Sequence, residues 1–449
     1  MKIGIDKDYA KFFIIFGIVT ILTPFLMDII VRSWTTDLMK YLADGIKSFD
    51  PSGISILFSI VIGFYVGSIF LLYLDRYKRV QAILLSIGLF SITGYISKLF
   101  SINFNLIFII LGTLIGAISG NSFKLTYKKE IKQAAANISI ISVIYVVISY
   151  IIFYLSTADS NNFIKDSIVV LIFSYFFGEV MSYKAKGSKI FVLGPAKSGK
   201  TLFIAGCYMR ALEIAKGPIK PSPDLLELID QMHKEEITWP RRTQVISKYQ
   251  FIYEVGTLFP KEMTLRTLDY PGPFIEKIYE YMYIKRPRKK NENDKKYEEE
   301  TKYEMVAKEI TKSDKLIFIV DGSKYPNFAD MGITQYVKIL GKLHENGRNV
   351  KPYVVVTKSD FFIREYPNYE NDYKGFKEFV GSRISNSIFI KELLNEASAS
   401  IYPVFYYTKK VGEEGTENYI PLRDENKNMY TYGFDKFMDD LIEQNTSMV

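Results

Sequence analysis

The sequence predicts a multi-domain protein: an all-α transmembrane helical domain over residues 1–185, followed by a three-layer α/β domain over residues 186–449. Three observations predict it. Up to about Ser182 the chain is apolar with charges confined to short clusters, and from Lys184 onward it is mixed and charged. The first part holds six apolar stretches, each near the roughly twenty residues a helix needs to cross a bilayer. The second part sets short apolar runs ahead of Gly- or Asp-bearing loops and helical patterns, the rhythm of a sheet wrapped by helices.

The six stretches lie near Tyr9–Val31, Gly53–Leu74, Val80–Leu99, Asn103–Gly120, Asn137–Leu155 and Phe163–Met181. The first has no small-residue cleavage site and carries Asp28 near its end, so it reads as an uncleaved span and not a signal peptide. The third and fourth are separated only by Ser101 and Ile102 and form a tight hairpin; the alternative is one re-entrant or buried pair, leaving four full spans. With both termini cytosolic, the inner segments carry Lys2, Lys7, Lys11, Arg76, Lys78, Arg79, Lys124, Lys128, Lys129, Lys132, Lys184, Lys186 and Lys189. The outer ones carry Arg32, Lys40, Lys47, Lys98 and Lys165. That excess is the direction the positive-inside rule demands, and it holds for either span count. Asp28, Glu179 and Lys98 are the ionisable residues within or near spans, and each reads as an interface residue. Gly112, Gly116 and Gly120 share a helix face and, with Gly63 and Gly67, predict close helix contact within the chain or between copies. None of this identifies a pore.

A single cysteine, Cys207, excludes an intramolecular disulfide and a cysteine metal cluster. His233 and His344 are too scattered to suggest a metal site. The net charge of +8 admits nucleic acid as a partner. Lysines placed by membrane topology explain it more simply, and nucleic acid ranks low.

The chemistry concentrates in three motifs. Lys189–Leu193 reads as a buried strand; it enters Gly194-Pro-Ala-Lys-Ser-Gly-Lys-Thr201, which matches GxxxxGK[ST], and Leu202–Ala215 reads as a helix. Gly194, Lys197, Ser198 and Gly199 let the backbone wrap phosphates, Lys200 reaches the β- and γ-phosphates, and the Thr201 hydroxyl ligates Mg²⁺. The second motif, DxxG, is Asp269-Tyr-Pro-Gly272 after the strand-like Met263–Leu268. There Asp269 can hold Mg²⁺ through water, and the Gly272 amide can sense a γ-phosphate. The third is Thr357-Lys-Ser-Asp360 after Pro352–Val356, which reads as [NT]KxD. The Asp360 carboxylate can accept from guanine N1–H and N2–H₂, a donor pair adenine lacks, while the stem of Lys358 can cover the base. Between them, Lys315–Asp321 reads as a central strand whose Asp321 has a strand-end polar role or, alternatively, a magnesium role. Ile401–Phe405 reads as the last strand and Phe434–Glu443 as a closing helix.

These motifs, in this order and on these strand ends, resemble the Ras-like P-loop GTPase domains of the translation-factor-related class, over about 260 residues. Asp269-Tyr-Pro-Gly272, with Trp239-Pro240 and Thr243 before it, looks more specifically like the prokaryotic double-GTPase relatives. The resemblance implies GTP/GDP and Mg²⁺ as ligands and a doubly wound sheet with the nucleotide at the carboxyl ends of its strands. It also implies a switch I threonine over Mg²⁺ and γ-phosphate. Thr243 fits best, just before the strand Lys248–Gly256, with Thr238 next. Lys200, Thr243 and Gly272 are then the catalytic set, and Thr201, Thr243 and Asp269 the metal set. Arg241 and Arg242 read as a solvated pair or as transition-state stabilisers.

Two departures qualify the resemblance. Pro273 stands where the family often carries a water-orienting Gln or His, so intrinsic hydrolysis is expected to be slow or partner-assisted, with Glu276 as a substitute. Phe405-Tyr-Tyr-Thr408 is unlike the family's second base loop. An insert near 284–302, basic and then acidic, reads as a solvated segment or a partner or lipid contact. The expected protein is a multi-pass integral protein of the plasma or cytoplasmic membrane with its GTPase domain cytosolic, a protein effector or activator, and homo-oligomerisation open. The alternatives are a nucleotide-gated transporter or channel, a P-loop ATPase, and a scaffold that binds GTP but barely hydrolyses it.

Overall fold

A computed structural model describes residues 7–49, 52–100, 103–119, 127–157, 162–183, 187–195, 197–215, 217–234, 239, 247–256, 260–268, 278–279, 282, 295–328, 333–348, 350–397, 400–411 and 418–446. The chain divides into two compact units, one of Met1–Lys186 with Gly256–Pro260 and Ser447–Val449, the other of Gly187–Val255 with Lys261–Thr446.

The first unit is helical: α1 (Lys7–Trp34), α2 (Asp37–Phe49), α3 (Gly53–Leu74), α4 (Arg79–Phe100), α5 (Leu106–Ser119), α6 (Tyr127–Thr157) and α7 (Phe163–Ser182). The six apolar stretches fall on helices, and among the described residues three segments, Ala10–Trp34, Gly53–Leu74 and Ala134–Thr157, are long and apolar enough to cross a membrane. Arg79–Tyr95 and Leu106–Ile118 are shorter apolar helices, and α7 carries Lys165, Asp166 and Glu179. The amphipathic α2 was not expected; it occupies the connection between the first two stretches.

The glycines act within the chain. A Cβ at Gly63 or Gly67 on α3 would lie 2.1 or 2.2 Å from the carbonyl oxygens of Ile109 and Thr113 on α5. Reciprocally, one at Gly112 or Gly116 would lie 2.1 or 2.2 Å from those of Ile60 and Phe64. The two backbones therefore touch directly, as small-xxx-small faces allow; Gly120 lies outside the described residues. A second lock is ionic. Arg32, expected outside a span, is in the last turn of α1, and its guanidinium meets the buried Asp166 of α7 at 2.8 Å and Asp28 at 2.9 Å. Tyr154 of α6 donates to the same Asp166 at 2.8 Å, so one carboxylate pins three helices. At the other end of α7, the buried Lys78 donates to the Met181 and Tyr183 carbonyls and caps the helix.

The second unit is a seven-stranded mixed sheet. Its strands are β1 (Ser188–Leu193), β2 (Lys220–Pro221), β3 (Lys248–Val255), β4 (Lys261–Leu268), β5 (Lys315–Asp321), β6 (Lys351–Thr357) and β7 (Ser400–Pro403), in the order β2-β3-β4-β1-β5-β6-β7. The pairs β4–β1, β1–β5, β5–β6 and β6–β7 are parallel; β3 runs antiparallel to both neighbours, and the few residues between Val255 and Lys261 are too short for a parallel crossover to β4. The sheet is thus mixed, with an antiparallel wing on an otherwise parallel core.

Strand alternation explains the layers. Ile190, Val192, Ile317, Ile319 and Val355 face α8 (Lys200–Ile214), α9 (Pro223–Lys234) and the C-terminal helix. Phe191, Leu193, Phe318, Val320 and Val354 face α10 (Lys295–Lys312), α11 (Ile333–Glu345), α12 (Tyr373–Ile384) and α13 (Ile388–Ala397). Burial on both faces is why these strands read as continuous apolar runs. The acidic end of the expected insert begins α10, whose Tyr303, Val306 and Ile310 enter the core; residues 285–294 lie outside the described residues.

The expected last strand divides. β7 stops at Pro403, and Phe405–Tyr406 form β8, which pairs with β11 (Thr431–Tyr432) instead of extending the sheet. β9 (Thr408–Val411) and β10 (Asn418–Pro421) make a further hairpin before the closing helix α14 (Phe434–Thr446).

The α3–α5 interlock is testable. Gly63→Ala and Gly112→Ala should each destabilise the protein in detergent by about 1–3 kcal/mol, the cost of forced overpacking. Gly94→Ala, where a Cβ meets nothing within 4 Å, should be neutral or stabilising by up to about 1 kcal/mol. Equal unfolding midpoints for the three variants by circular dichroism would count against the interlock.

Candidate functional site

The glycine loop leaves the carboxyl end of β1, where strand order reverses: the chain leads from β1 to β4 on one side and from β4 to β5 on the other. Ligands of open α/β sheets bind at such a switch point. Within the loop, Lys197 (φ 63°) and Gly199 (φ 84°) are left-handed, and Gly199 leads into α8. A glycine removes the steric cost of that conformation at Gly199, whereas Lys197 bears it. Lys200 is buried, and its ammonium reaches back to donate to the Pro195 carbonyl at 2.9 Å. Its stem passes over Gly194, where a Cβ would lie 2.7 Å from Lys200 Cγ. The first glycine therefore makes room for the lysine. Ser198 is buried and donates to Pro195 O at 2.8 Å, and Thr201 is half-buried in the first turn of α8.

The Thr357–Asp360 loop is bonded to this one. Thr357, buried at the end of β6, donates to the Ser198 carbonyl at 2.6 Å and approaches Val320 O at 3.3 Å. Lys358, left-handed at φ 52°, donates to Lys197 O at 3.2 Å and pairs with Asp321 at 2.6 Å. Asp360 is the second residue of a 3₁₀ turn, Ser359–Phe362. Burial pushes its carboxyl above the ordinary aspartate value; a backbone hydrogen bond and Lys358 oppose this, and Asp321 adds to it. The structure brings together Gly194, Lys197, Ser198, Gly199, Lys200, Thr201, Thr357, Lys358 and Asp360. Thr243, Asp269 and Gly272 lie outside the described residues, as do Thr238, Arg241, Arg242, Pro273 and Glu276; β4 is described up to Leu268, the residue before Asp269.

Asp321 takes the strand-end polar role. Its Oδ1 accepts from the Ser323 amide at 3.1 Å and hydroxyl at 2.6 Å, and its Oδ2 faces Lys358. Among the described residues no group of three or more His, Cys, Asp or Glu is placed to hold a metal. Thr201, in the first turn after the lysine, offers a hydroxyl oxygen of the kind a hard dication takes.

Three contacts escaped sequence reasoning. Trp239 donates to Tyr419 O of β10 at 2.9 Å, and its ring meets Tyr406 edge-on. Tyr406 donates to Leu202 O in the first turn of α8 at 2.7 Å. Arg423 donates to Met232 O at the end of α9. No spacing in the chain signals these, because they join segments about two hundred residues apart. A scan of protein-family models finds no matching family, and a search of curated proteins finds no match to this chain.

Thr357→Val should cost about 1–3 kcal/mol, because it leaves the buried Ser198 carbonyl without that donor. Thr357→Ser, which keeps the hydroxyl, should recover most of it. Denaturant unfolding of the full chain checks this, and equal losses for both variants would contradict it.

Proposed function

We propose that the chain is a membrane-anchored GTP-binding switch, held in the bilayer by its helical unit and binding GTP or GDP with Mg²⁺ at the carboxyl end of the sheet. The observation that supports this reading is the bond from Thr357 to Ser198, by which the GxxxxGK[ST] segment and the [NT]KxD segment adjoin. A nucleoside di- or triphosphate carries both groups that these two loops can meet, a phosphate chain and a base edge. Lys200 and the loop amides meet phosphate, Asp360 meets the base edge, and the Thr201 hydroxyl serves Mg²⁺. Mg²⁺ supplies charge neutralisation between the phosphate oxygens when bound.

Guanine is favoured over adenine because an ionised Asp360 accepts from two adjacent N–H donors. Thr243 and Gly272 would respond to the γ-phosphate, and Pro273 in the water-orienting place argues for slow or partner-assisted hydrolysis. Anchoring is supported by the apolar outer faces of the helical unit, with Ile14, Ile21, Phe90, Leu106 and Leu171 each more than half exposed. Lysine placement supports a cytosolic switch domain. A bilayer and a protein effector or activator are the partners this reading requires. A nucleotide-gated transporter or a P-loop ATPase are the readings the tests must separate from it.

The full chain in detergent or liposomes should bind guanine nucleotides with Mg²⁺ at least about a hundredfold more tightly than adenine ones, the scale of discrimination by a paired polar contact. Equal binding would remove the base assignment, and nucleotide-gated solute flux would favour transport. Asp360→Asn should trade guanine for xanthine preference. Phosphate release without a partner should be on the order of 10⁻² s⁻¹ or slower, and Pro273→Gln should raise it; fast release that the variant leaves unchanged would contradict the proposal.

The pH dependence has a definite sign. Recognition needs the ionised carboxylate, and burial raises the Asp360 pKa. Guanine affinity should therefore begin to fall, as pH is lowered, at a higher pH than an ordinary aspartate would give. The same raised pKa means that ionised Asp360 opposes folding at neutral pH. The unliganded Asp360→Asn variant should then melt at or above the wild-type temperature. A lower melting temperature would place Asp360 in a structural role.

A further inference from the structure

We propose that Asp321 is the positioning residue of the base-reading loop: it holds the Lys358 ammonium against the glycine loop, so that the lysine stem forms a fixed wall for the purine. The inference rests on the guanine-nucleotide reading of the site and adds to it the residue on which base affinity depends.

The contacts form a continuous chain from β5 to the glycine loop. Asp321 ends β5 in register with Thr357 at the end of β6. Two bonds from Ser323 fix the orientation of its carboxylate, so the second oxygen is aimed, not swinging. That oxygen meets Lys358 Nζ at 2.6 Å, and the same ammonium donates to Lys197 O of the glycine loop at 3.2 Å. Asp321 has 5% of its side chain exposed and Lys358 41%, so the anchor is buried and the lysine it holds borders solvent, where a ligand can reach it. The backbone is equally constrained. Lys358 is left-handed, a conformation that costs a lysine about 1–2 kcal/mol and persists only where the surroundings impose it. Gly322 has no room for a side chain: a Cβ there would lie 2.8 Å from Thr357 O and 3.1 Å from Lys358 O. The turn after Asp321 and the turn at Lys358 fix each other.

A metal role does not fit these contacts, since an ammonium 2.6 Å from Oδ2 repels a dication. Two roles remain, and they predict opposite signs. Asp321 raises the pKa of Asp360 and Lys358 lowers it. If Asp321 mattered only through its charge, neutralising it would leave Asp360 a more readily ionised acceptor and guanine would bind more tightly. If it positions Lys358, neutralising it frees the lysine and guanine binds more weakly. Asn is the discriminating replacement, because it keeps the shape and an oxygen for Ser323.

The test uses the full chain in detergent micelles, titrated with a fluorescent GDP analogue and competed with unlabelled GDP or with Mg²⁺-tripolyphosphate, which has no base. Asp321→Asn should weaken GDP by about tenfold, the loss of one charge-assisted contact, and change tripolyphosphate by less than about twofold. Lys358→Met should weaken GDP similarly, and the double variant should be no worse than Lys358→Met alone, because both changes break the same contact. Unchanged or tighter GDP binding by Asp321→Asn overturns the inference, as does an additive loss in the double variant. An equal loss for tripolyphosphate overturns it too, since that would mean a disturbed glycine loop. A wild-type chain that binds no guanine nucleotide overturns the underlying reading and this inference with it; a wild type that binds while Asp321→Asn matches it overturns this inference alone.

Discussion

One buried hydroxyl organises the carboxyl end of the sheet. Thr357 Oγ1 donates to a carbonyl 159 residues away in sequence, at Ser198, and lies 3.3 Å from Val320 O of the intervening strand. Three strand ends, β1, β5 and β6, thereby become one platform. Without that bond the glycine loop would end on a buried carbonyl with a partner missing, a cost comparable to a sizeable share of a domain's net stability. Packing alone could not supply this: the apolar faces of β1 and β6 fix the strands but say nothing about the loops beyond them. A short polar side chain at the first place of the third motif is thus a structural requirement before it is a chemical one. Gly199 sits beside the same residue, 3.6 Å in Cβ terms from the Thr357 side chain, so the turn into α8 is shaped against it.

What was legible in the sequence follows from the range of the forces involved. β1, β5 and β6 were readable because each is a largely apolar run buried on both faces, β4 because its apolar residues alternate, and α8 because the glycine loop marks its start. The strand at 401–405 was read too long, because Val404 and Phe405 continue the apolar pattern after the ladder ends at Pro403. The small sheets of β8 to β11 were illegible. Their strands are two to four residues long, and they are held by partners such as Trp239 and Met232, which no local pattern names. In the helical unit the glycine spacing was readable as close contact. Only the structure assigns it to the pair α3 and α5 within one chain. The Arg32–Asp166 pair was missed for the same reason of range: 134 residues separate them, and each looked like an end-of-span charge.

Sequence order named the residues of two loops, and the structure joins those loops through Thr357 to Ser198 and Lys358 to Lys197. Lys358 was read as a cover for a base, and its tether to Asp321 was invisible because Asp321 belongs to a different strand. The pairing register that sets Asp321 opposite Thr357 is a property of the assembled sheet, and a sequence carries it only implicitly.

The places where the fold breaks local rules coincide with these two loops. Among the described residues three non-glycine residues have positive φ, and two of them, Lys197 and Lys358, stand in the two loops joined by Thr357. A buried lysine, Lys200, lies in the same loop, and a carboxyl that burial disfavours, Asp360, follows in the next. A chain selected only for stability would have little reason to gather left-handed lysines and a desolvated carboxylate at one end of one sheet. The rest of the α/β unit observes the rules closely, with apolar alternation on both faces and a continuous core. Strain of this kind persists where surrounding structure over-determines it, and here the determinants are the Thr357, Lys358 and Asp321 contacts themselves. Three lysines, Lys197, Lys200 and Lys358, and the Asp360 carboxyl are thereby gathered in two bonded loops at one end of one sheet, where the packing of the strands alone would not have put them.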